Sequence, residues 1–166
     1  MKTRIAAMSL FALAACAAPG AVTPPAVPAN LRAPSGEVLS LETAATGVQI
    51  YECNAGKWVF KAPEADLFDR AGNKVGTHYA GPTWESNDGS KVVAALTARS
   101  DAPNAGAIPW LLLTAKSTAG NGVFGRTRSI QRVSTVGGTT PAEACNEAQA
   151  GKVARVNYTA IYYFYQ

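Results

Sequence analysis

The chain is poor in the side chains on which most catalytic and metal sites depend. Its 166 residues include one histidine and three cysteines. Any Ser-His-Asp arrangement would have to use His78, and there is no Gly-x-Ser-x-Gly nucleophile elbow. The cysteines lack the paired spacing of a zinc site. A carboxylate-rich site around His78 would draw on Glu85, Asp88, Asp66 or Glu64, and the spacing from 78 to 85 to 88 is not a recognised ligand pattern. We therefore expect no metal and no cofactor.

Charge is also scarce, which limits the classes of partner. Charged residues make up 16% of the chain and the formal net charge is +4. Lys2 and Arg4 precede the first apolar run, and without them the net charge is +2. Nucleic-acid-binding domains carry a stronger basic surface than this. The sequence therefore predicts no nucleic-acid partner.

The first apolar run, residues 5–15, is too short to span a bilayer. It follows two cations, as the core of a signal peptide does. The run ends in Leu-Ala-Ala-Cys at residues 13–16, which resembles the bacterial lipobox, in which the chain is cut before a cysteine that then carries lipid. Ordinary signal-peptidase cleavage within the same alanines is the alternative. We expect residues 1–15 to be a lipoprotein-type signal peptide and Cys16 to be the lipid attachment site.

Ala17, rather than an aspartate, follows the lipidated cysteine. By resemblance to enterobacterial sorting, this favours the outer membrane, with the periplasmic or the surface face left open. Stable anchoring needs more than one acyl chain, which a diacylated or triacylated cysteine provides. Residues 16–35 hold the anchor cysteine and a linker rich in proline and alanine, which is typical of an extended spacer. Residues 36–166 then form a single domain.

Cys53 and Cys145 are the two cysteines that remain after Cys16 is assigned to lipid. In an exported chain a single remaining pair is most simply a disulfide. Two free thiols are the alternative.

From residue 36 onward the sequence pattern is that of β-strands. Short segments rich in Val, Ile, Tyr, Trp and Phe alternate with turns such as Asn-Ala-Gly at 54–56 and Asp-Gly at 88–89. One segment, residues 141–150, has the capping pattern of a short helix, with Thr140 before it and Gly151 after it. The prediction is a mainly β fold, an antiparallel sandwich or flattened barrel with one short helix.

The segment HYAGPTWESNDGS, residues 78–90, combines the single histidine with a tryptophan, two carboxylates and dense turn residues. It is either a packed hairpin with a satisfied histidine or the edge of a ligand pocket. Aromatic residues with a few polar partners suit small apolar, glycan or peptide ligands. The residues of this candidate pocket are His78, Trp84, Glu85, Trp110 and Trp58.

Two further motifs have ordinary structural interpretations. Residues 120–125, Gly-Asn-Gly-Val-Phe-Gly, match the glycine spacing of a dinucleotide-binding turn. Such a turn must lead into a helix, whereas the residues that follow alternate as in a strand, so we expect a turn between strands and no dinucleotide cofactor. Arg126, Arg128 and Arg132 share one face of that strand, which indicates either a solvated face or an anion contact.

The order of several motifs is similar to that in an uncharacterised family known as domain of unknown function 3455. These motifs are GVQIYEC, WVFKAPEADLFD, GTHYAGPTWESNDGSKV, AIPWLLLTAKS, GVFGRTRSIQRVSTVGG and YTAIYYFY. The resemblance covers roughly residues 36 to 166 and implies a small exported domain of bacteria and fungi. It supplies no catalytic residues.

Two functional hypotheses remain. The first is a lipid-anchored, disulfide-stabilised envelope domain with a binding or structural role and no enzymatic activity, whose partner is an envelope protein, a glycan or a small molecule. The second is a small extracytoplasmic enzyme, hydrolase-like, that uses His78 with a nearby carboxylate. The scarcity of catalytic side chains favours the first.

Overall fold

A computed structural model describes residues 22–166 of the chain. The predicted signal peptide and the lipid attachment site Cys16 lie outside the described residues. No helix within the described range is long and apolar enough to cross a membrane.

Within this range, eight antiparallel strands form one closed barrel in which the order of the strands around the barrel is their order in the sequence. The last strand pairs with the first and closes the sheet. The mainly antiparallel β fold that the sequence predicts is therefore confirmed, in the form of a barrel. The strands are β1 (Leu39–Asn54), β2 (Lys57–Phe68), β3 (Lys74–Tyr79), β4 (Thr83–Ser86), β5 (Lys91–Ser100), β6 (Trp110–Ala119), β7 (Ser129–Gly137) and β8 (Val153–Tyr165).

The barrel interior is filled by one face of each strand, because side chains alternate between the two faces. Trp84, Ile130, Phe164 and Leu67 are fully or almost fully buried there. Small residues let the strands bend tightly around this core. A Cβ atom on Gly47 would lie 2.1 Å from the backbone oxygen of Glu64 in the neighbouring strand, so only glycine fits at that position.

The loop between β6 and β7 seals one end of the barrel, which we call the closed end. Phe124 in this loop is buried and its ring centroid lies 4.7 Å from that of Phe164. Its backbone N–H donates to Ser90 Oγ at 3.0 Å, and the N–H of Val123 donates to Asp88 Oδ2 at 2.8 Å. The glycine-rich motif at 120–125 thus forms a connection between two strands, as the sequence predicts, and works as a plug.

The opposite end, the open end, carries the disulfide. Cys53 at the end of β1 is bonded to Cys145 in the connection between β7 and β8, as predicted. The helix predicted near residues 141–150 is much shorter than expected, a single 3₁₀ turn at Glu147–Gln149. The disulfide and a hydrogen bond from Trp58 Nε1 to the carbonyl oxygen of Glu143 hold the first part of this segment against the β1–β2 hairpin. These tertiary contacts outweigh the local capping signals.

Part of the segment predicted to be a linker packs on the outside of the barrel. Leu31, in the 3₁₀ turn Ala29–Leu31, is completely buried. Its carbonyl oxygen accepts a hydrogen bond of 2.6 Å from Gln131 Nε2, and Gln131 Oε1 accepts one from Tyr165. This contact explains why β8 is apolar on both faces: Phe164 lies in the interior, and the outward Tyr165 is buried as well.

Candidate functional site

The barrel wall is shortest at the β3–β4 hairpin, on the side that faces the open end of the barrel. Here β2 pairs with β3 only over residues 65–68, and β5 pairs with β4 only over residues 91–93. The tight turn at residues 80–82 ends this hairpin early, while β2 and β5 continue past it. The result is a gap between β2 and β5 that leads to the barrel interior.

A cavity of about 260 Å³ occupies this gap, and we call it the open-end cavity. Its apolar lining includes Leu96, Leu111, Leu113 and Phe60. Leu96 and Phe60 form an exposed apolar rim, with 57% and 49% of their surface accessible. Barrels of eight strands have an interior just large enough for side chains or one small ligand. The dimensions of this cavity suit a small molecule.

Three aromatic rings form one wall of the open-end cavity. His78 and Trp84 stack with ring centroids 4.2 Å apart and planes 13° apart. Tyr162 meets both rings edge-on, at 5.2 Å from His78 and 5.4 Å from Trp84. All three side chains are buried. The arrangement fixes the histidine ring in one orientation.

His78 is held as a neutral imidazole. Its Nδ1 lies 2.8 Å from the carbonyl oxygen of Thr83. A carbonyl can only accept, so Nδ1 carries the proton and Nε2 is an acceptor. The pKa of His78 falls from its ordinary value of 6.5 to about 3, chiefly because the ring is buried; the hydrogen bond to Thr83 opposes this shift and the nearby charge of Arg132 adds to it. At neutral pH the ring is therefore uncharged.

Arg132 is a cation at the inner wall of the barrel. It lies on the same face of β7 as the buried Ile130, is half-buried, and lines the open-end cavity. Its Nε and Nη2 donate to the carbonyl oxygen of Pro109 at 3.3 and 2.9 Å. None of the carboxylates in residues 22–166 lies at ion-pair distance from it.

The candidate residue Glu85 lies outside this cavity. It follows the inward Trp84 in β4 and therefore projects from the outer face of the barrel. Its Oε2 accepts a hydrogen bond from the Tyr79 hydroxyl and forms a 3.1 Å ion pair with Lys91. Both interactions lower the pKa of the Glu85 carboxyl, with the bond from Tyr79 contributing most. Glu85 is part of a surface network across three strands.

Trp58 and Trp110 are also absent from the lining of the open-end cavity. Trp58 lies beside the disulfide, where its indole bonds to Glu143. Trp110 begins β6 on the face opposite to Leu111, and its buried indole nitrogen has no hydrogen-bond partner among residues 22–166. The structure thus brings together His78 and Trp84 of the five predicted pocket residues.

The geometry around His78 does not form a catalytic arrangement. No carboxylate of the described part of the chain hydrogen-bonds to the imidazole, whose one bond is to the Thr83 carbonyl. Asp88 lies at the closed end, where bonds from Ser90 and Val123 lower the pKa of its carboxyl to about 2. Within residues 22–166 there is also no group of three or more His, Cys, Asp or Glu side chains that could hold a metal ion.

Tyr162 is a site residue that the sequence pattern did not single out. The pattern does group Arg132 with Arg126 and Arg128, as a solvated face or an anion contact. Ile130 and Arg132 are two residues apart and therefore lie on the same face of the strand. This spacing could have predicted that Arg132 points to the barrel interior, because Ile130 is apolar. Arg126 and Arg128, which precede β7, are exposed. The arginines of this segment therefore divide between solvent and the barrel interior.

Comparison with known proteins supports the resemblance seen in the motifs. Residues 34–166 match the model of a family described as protein of unknown function (DUF3455). No curated protein and no solved structure matches the chain.

Proposed function

The chain belongs to the DUF3455 family, whose function is unknown, and we propose that it is a non-enzymatic binding protein of the cell envelope. Its barrel takes up a small molecule in the open-end cavity. The observation that carries this proposal is the 260 Å³ cavity with an apolar rim, an aromatic wall and two cationic side chains, Arg132 and Lys61, of which Lys61 is paired with Glu52. Ligand sites in proteins combine an apolar lining with a few placed polar groups in this way.

Location in the envelope is supported by the sequence and by the disulfide. The pattern at residues 13–16 resembles a lipobox, and disulfides persist in oxidising compartments. A lipid on Cys16 would anchor the barrel at the membrane, most simply the outer membrane. The partner is then a small molecule in the envelope.

The anchor is tested by comparing the chain with its Cys16→Ser variant in the producing bacterium. We expect the unmodified chain to fractionate with membranes and to carry the mass of its acyl chains. The variant should lose both properties, because it has no thiol to acylate. Membrane association and mass that are unaffected by the substitution would contradict the anchor.

Binding is tested by nuclear magnetic resonance on the full chain with Cys16→Ser, which avoids detergent. Each of the three tryptophans gives a separate indole N–H signal. We expect 3-phenylpropanoate or its neutral amide to shift the Trp84 signal saturably and to leave the signals of Trp58 and Trp110 in place. If neither compound moves the Trp84 signal, the proposed function is wrong.

A matched pair of surface variants locates the binding. Leu96 on the cavity rim and Val136 on β7 are equally exposed, at 57% and 56%. Leu96→Gln should weaken binding because it removes apolar surface at the entrance, whereas Val136→Gln should leave binding unchanged. Equal effects of the two variants would place the ligand elsewhere.

A further inference from the structure

The charge inside the barrel bears on which ligand the cavity accepts, an inference that depends on the proposed function. A cation that is removed from water without a partner is unfavourable, and proteins normally pair it. Arg132 is half-buried, yet its hydrogen bonds are to neutral groups, the carbonyl of Pro109 and the hydroxyl of Tyr162. Its charge is thus oriented by the protein and not neutralised by the described residues.

The guanidinium of Arg132 keeps N–H donors for a ligand. Its two bonds to Pro109 use Nε and Nη2. It also hydrogen-bonds with the Tyr162 hydroxyl, so both of these protein partners are neutral. A guanidinium carries five N–H donors in a planar fork that matches a carboxylate. The two bonds to Pro109 fix the plane of that fork, which reduces the entropy lost when a ligand binds.

The surroundings place the charge of Arg132 next to the aromatic wall. Burial raises the pKa of the Tyr162 hydroxyl, and the charge of Arg132 opposes that rise. The same charge acts on His78, which stacks on Trp84. Tyr162 and Arg132 are also directly opposite each other in the pairing of β7 with β8. The cation and the rings therefore line one continuous space.

We propose that the open-end cavity selects a small monocarboxylate with an apolar body, whose carboxylate pairs with Arg132 and whose body lies against Trp84 and Leu113. Lys61 also lines the cavity but forms an ion pair with Glu52. Arg132 is therefore the one lining cation without an ion-pair partner among the described residues, and it matches a single negative charge.

The apolar rim formed by Leu96 and Phe60 covers the other end of such a molecule. His78 Nε2, an acceptor, is unfavourable for a second carboxylate and favourable for a hydroxyl or N–H group on the ligand.

The test compares 3-phenylpropanoate with its isosteric neutral amide by the shift of the Trp84 indole signal, at neutral pH in the full chain with Cys16→Ser. We expect the carboxylate to bind about tenfold more tightly or better, because hydrogen bonds to charged groups are stronger than those to neutral ones. Arg132→Gln should bring the two affinities to within about twofold, and Arg132→Lys should retain part of the preference because it keeps the charge.

The outcomes separate the two proposals. Equal affinity of the carboxylate and the amide for the unmodified barrel would overturn the ligand class while leaving small-molecule binding in place. Failure of both compounds to bind would overturn the proposed function and the ligand class together. The comparison of two ligands on one protein needs no variant, so it remains decisive if Arg132→Gln fails to fold. Raising the salt concentration should weaken the binding of the carboxylate and leave the binding of the amide unchanged, because salt screens interactions between charges.

Discussion

At the scale of single residues, the most conspicuous side chain of the sequence has a different role from the one its chemistry suggests. His78 is the chain's single histidine, and it is a buried, stacked and neutral ring. Arg132, one of several arginines in its segment, provides the cavity with a charge that no described carboxylate pairs, whereas the lining residue Lys61 is paired with Glu52. A side chain's surroundings decide its chemistry here, because burial and neighbours set which form is stable.

We predict that His78 makes the free energy of unfolding depend on pH. The unfolded chain takes up a proton near pH 6.5, whereas burial keeps the folded histidine neutral down to about pH 3. The contribution of His78 to the free energy of unfolding is therefore complete above pH 6.5 and is lost as the pH falls from 6.5 towards about 3. We expect a loss of about 2 kcal/mol between pH 8 and pH 5, above the range in which carboxylates titrate. Urea denaturation at each pH measures it.

The single histidine makes the control direct. His78→Gln cannot gain this proton, so the stability of the variant should be nearly constant from pH 8 to pH 5. An equal loss in the variant and in the unmodified chain would show that another group titrates. Below pH 5, carboxyls with lowered pKa values, such as those of Asp88 and Glu85, add to the loss in both proteins.

At the scale of elements, the residues before β1 form part of the fold. Leu31 is buried on the outside of the barrel, and Asn30 bonds to the carbonyl oxygen of Arg99 at 3.0 Å. Ser129 in β7 donates to Glu37. This segment covers outward side chains of β7 and β8 that would otherwise be exposed to solvent, and it acts as a strap across the outer face from β5 to β8.

We predict that Leu31→Ala lowers the free energy of unfolding by about 2 to 5 kcal/mol, the usual cost of removing a buried leucine side chain. Val38 in the same segment is 66% exposed and provides the matched control. Val38→Ala should change stability by less than about 0.5 kcal/mol. Denaturation midpoints in urea compare the two variants, and equal midpoints would mean that the strap does not contribute to the fold.

At the scale of the whole molecule, two long-range links close the barrel. β1 pairs with β8 along almost its full length. The disulfide joins residues that are 92 positions apart and ties the β7–β8 connection to the first hairpin. Both links lie between the beginning and the end of the described fold, where chain entropy opposes closure most strongly.

We predict that Cys145→Ser destabilises the oxidised protein by up to about 4 kcal/mol, since the cross-link restricts the unfolded chain. Reduction of the unmodified protein should produce the same loss, and the variant should not respond to reductant. Ala144→Ser, at the exposed neighbouring position, is the control and should leave the melting temperature unchanged. A melting temperature that is insensitive to both the variant and reduction would contradict this role of the disulfide.

Much of the fold was predictable from local sequence, and the site was predictable only in part. Alternation along a strand places Trp84 and Glu85 on opposite faces, so their separation follows from adjacency alone. The meeting of His78 with Tyr162 does not, because it requires β3 and β8 to face each other across the barrel. The helix expected at residues 141–150 became a 3₁₀ turn because tertiary contacts outweigh helix propensity in so short a segment.

The sequence by itself determined the antiparallel β class, the cysteine pair and the family, because these depend on alternation, on the number of cysteines and on the order of motifs. The tertiary structure alone decided that the sheet closes on itself, that residues before β1 cover its outer side, and that Arg132 lies beside the aromatic wall. The physical reason is that periodicity specifies which face a residue occupies, whereas strand pairing over long distances specifies what that face meets.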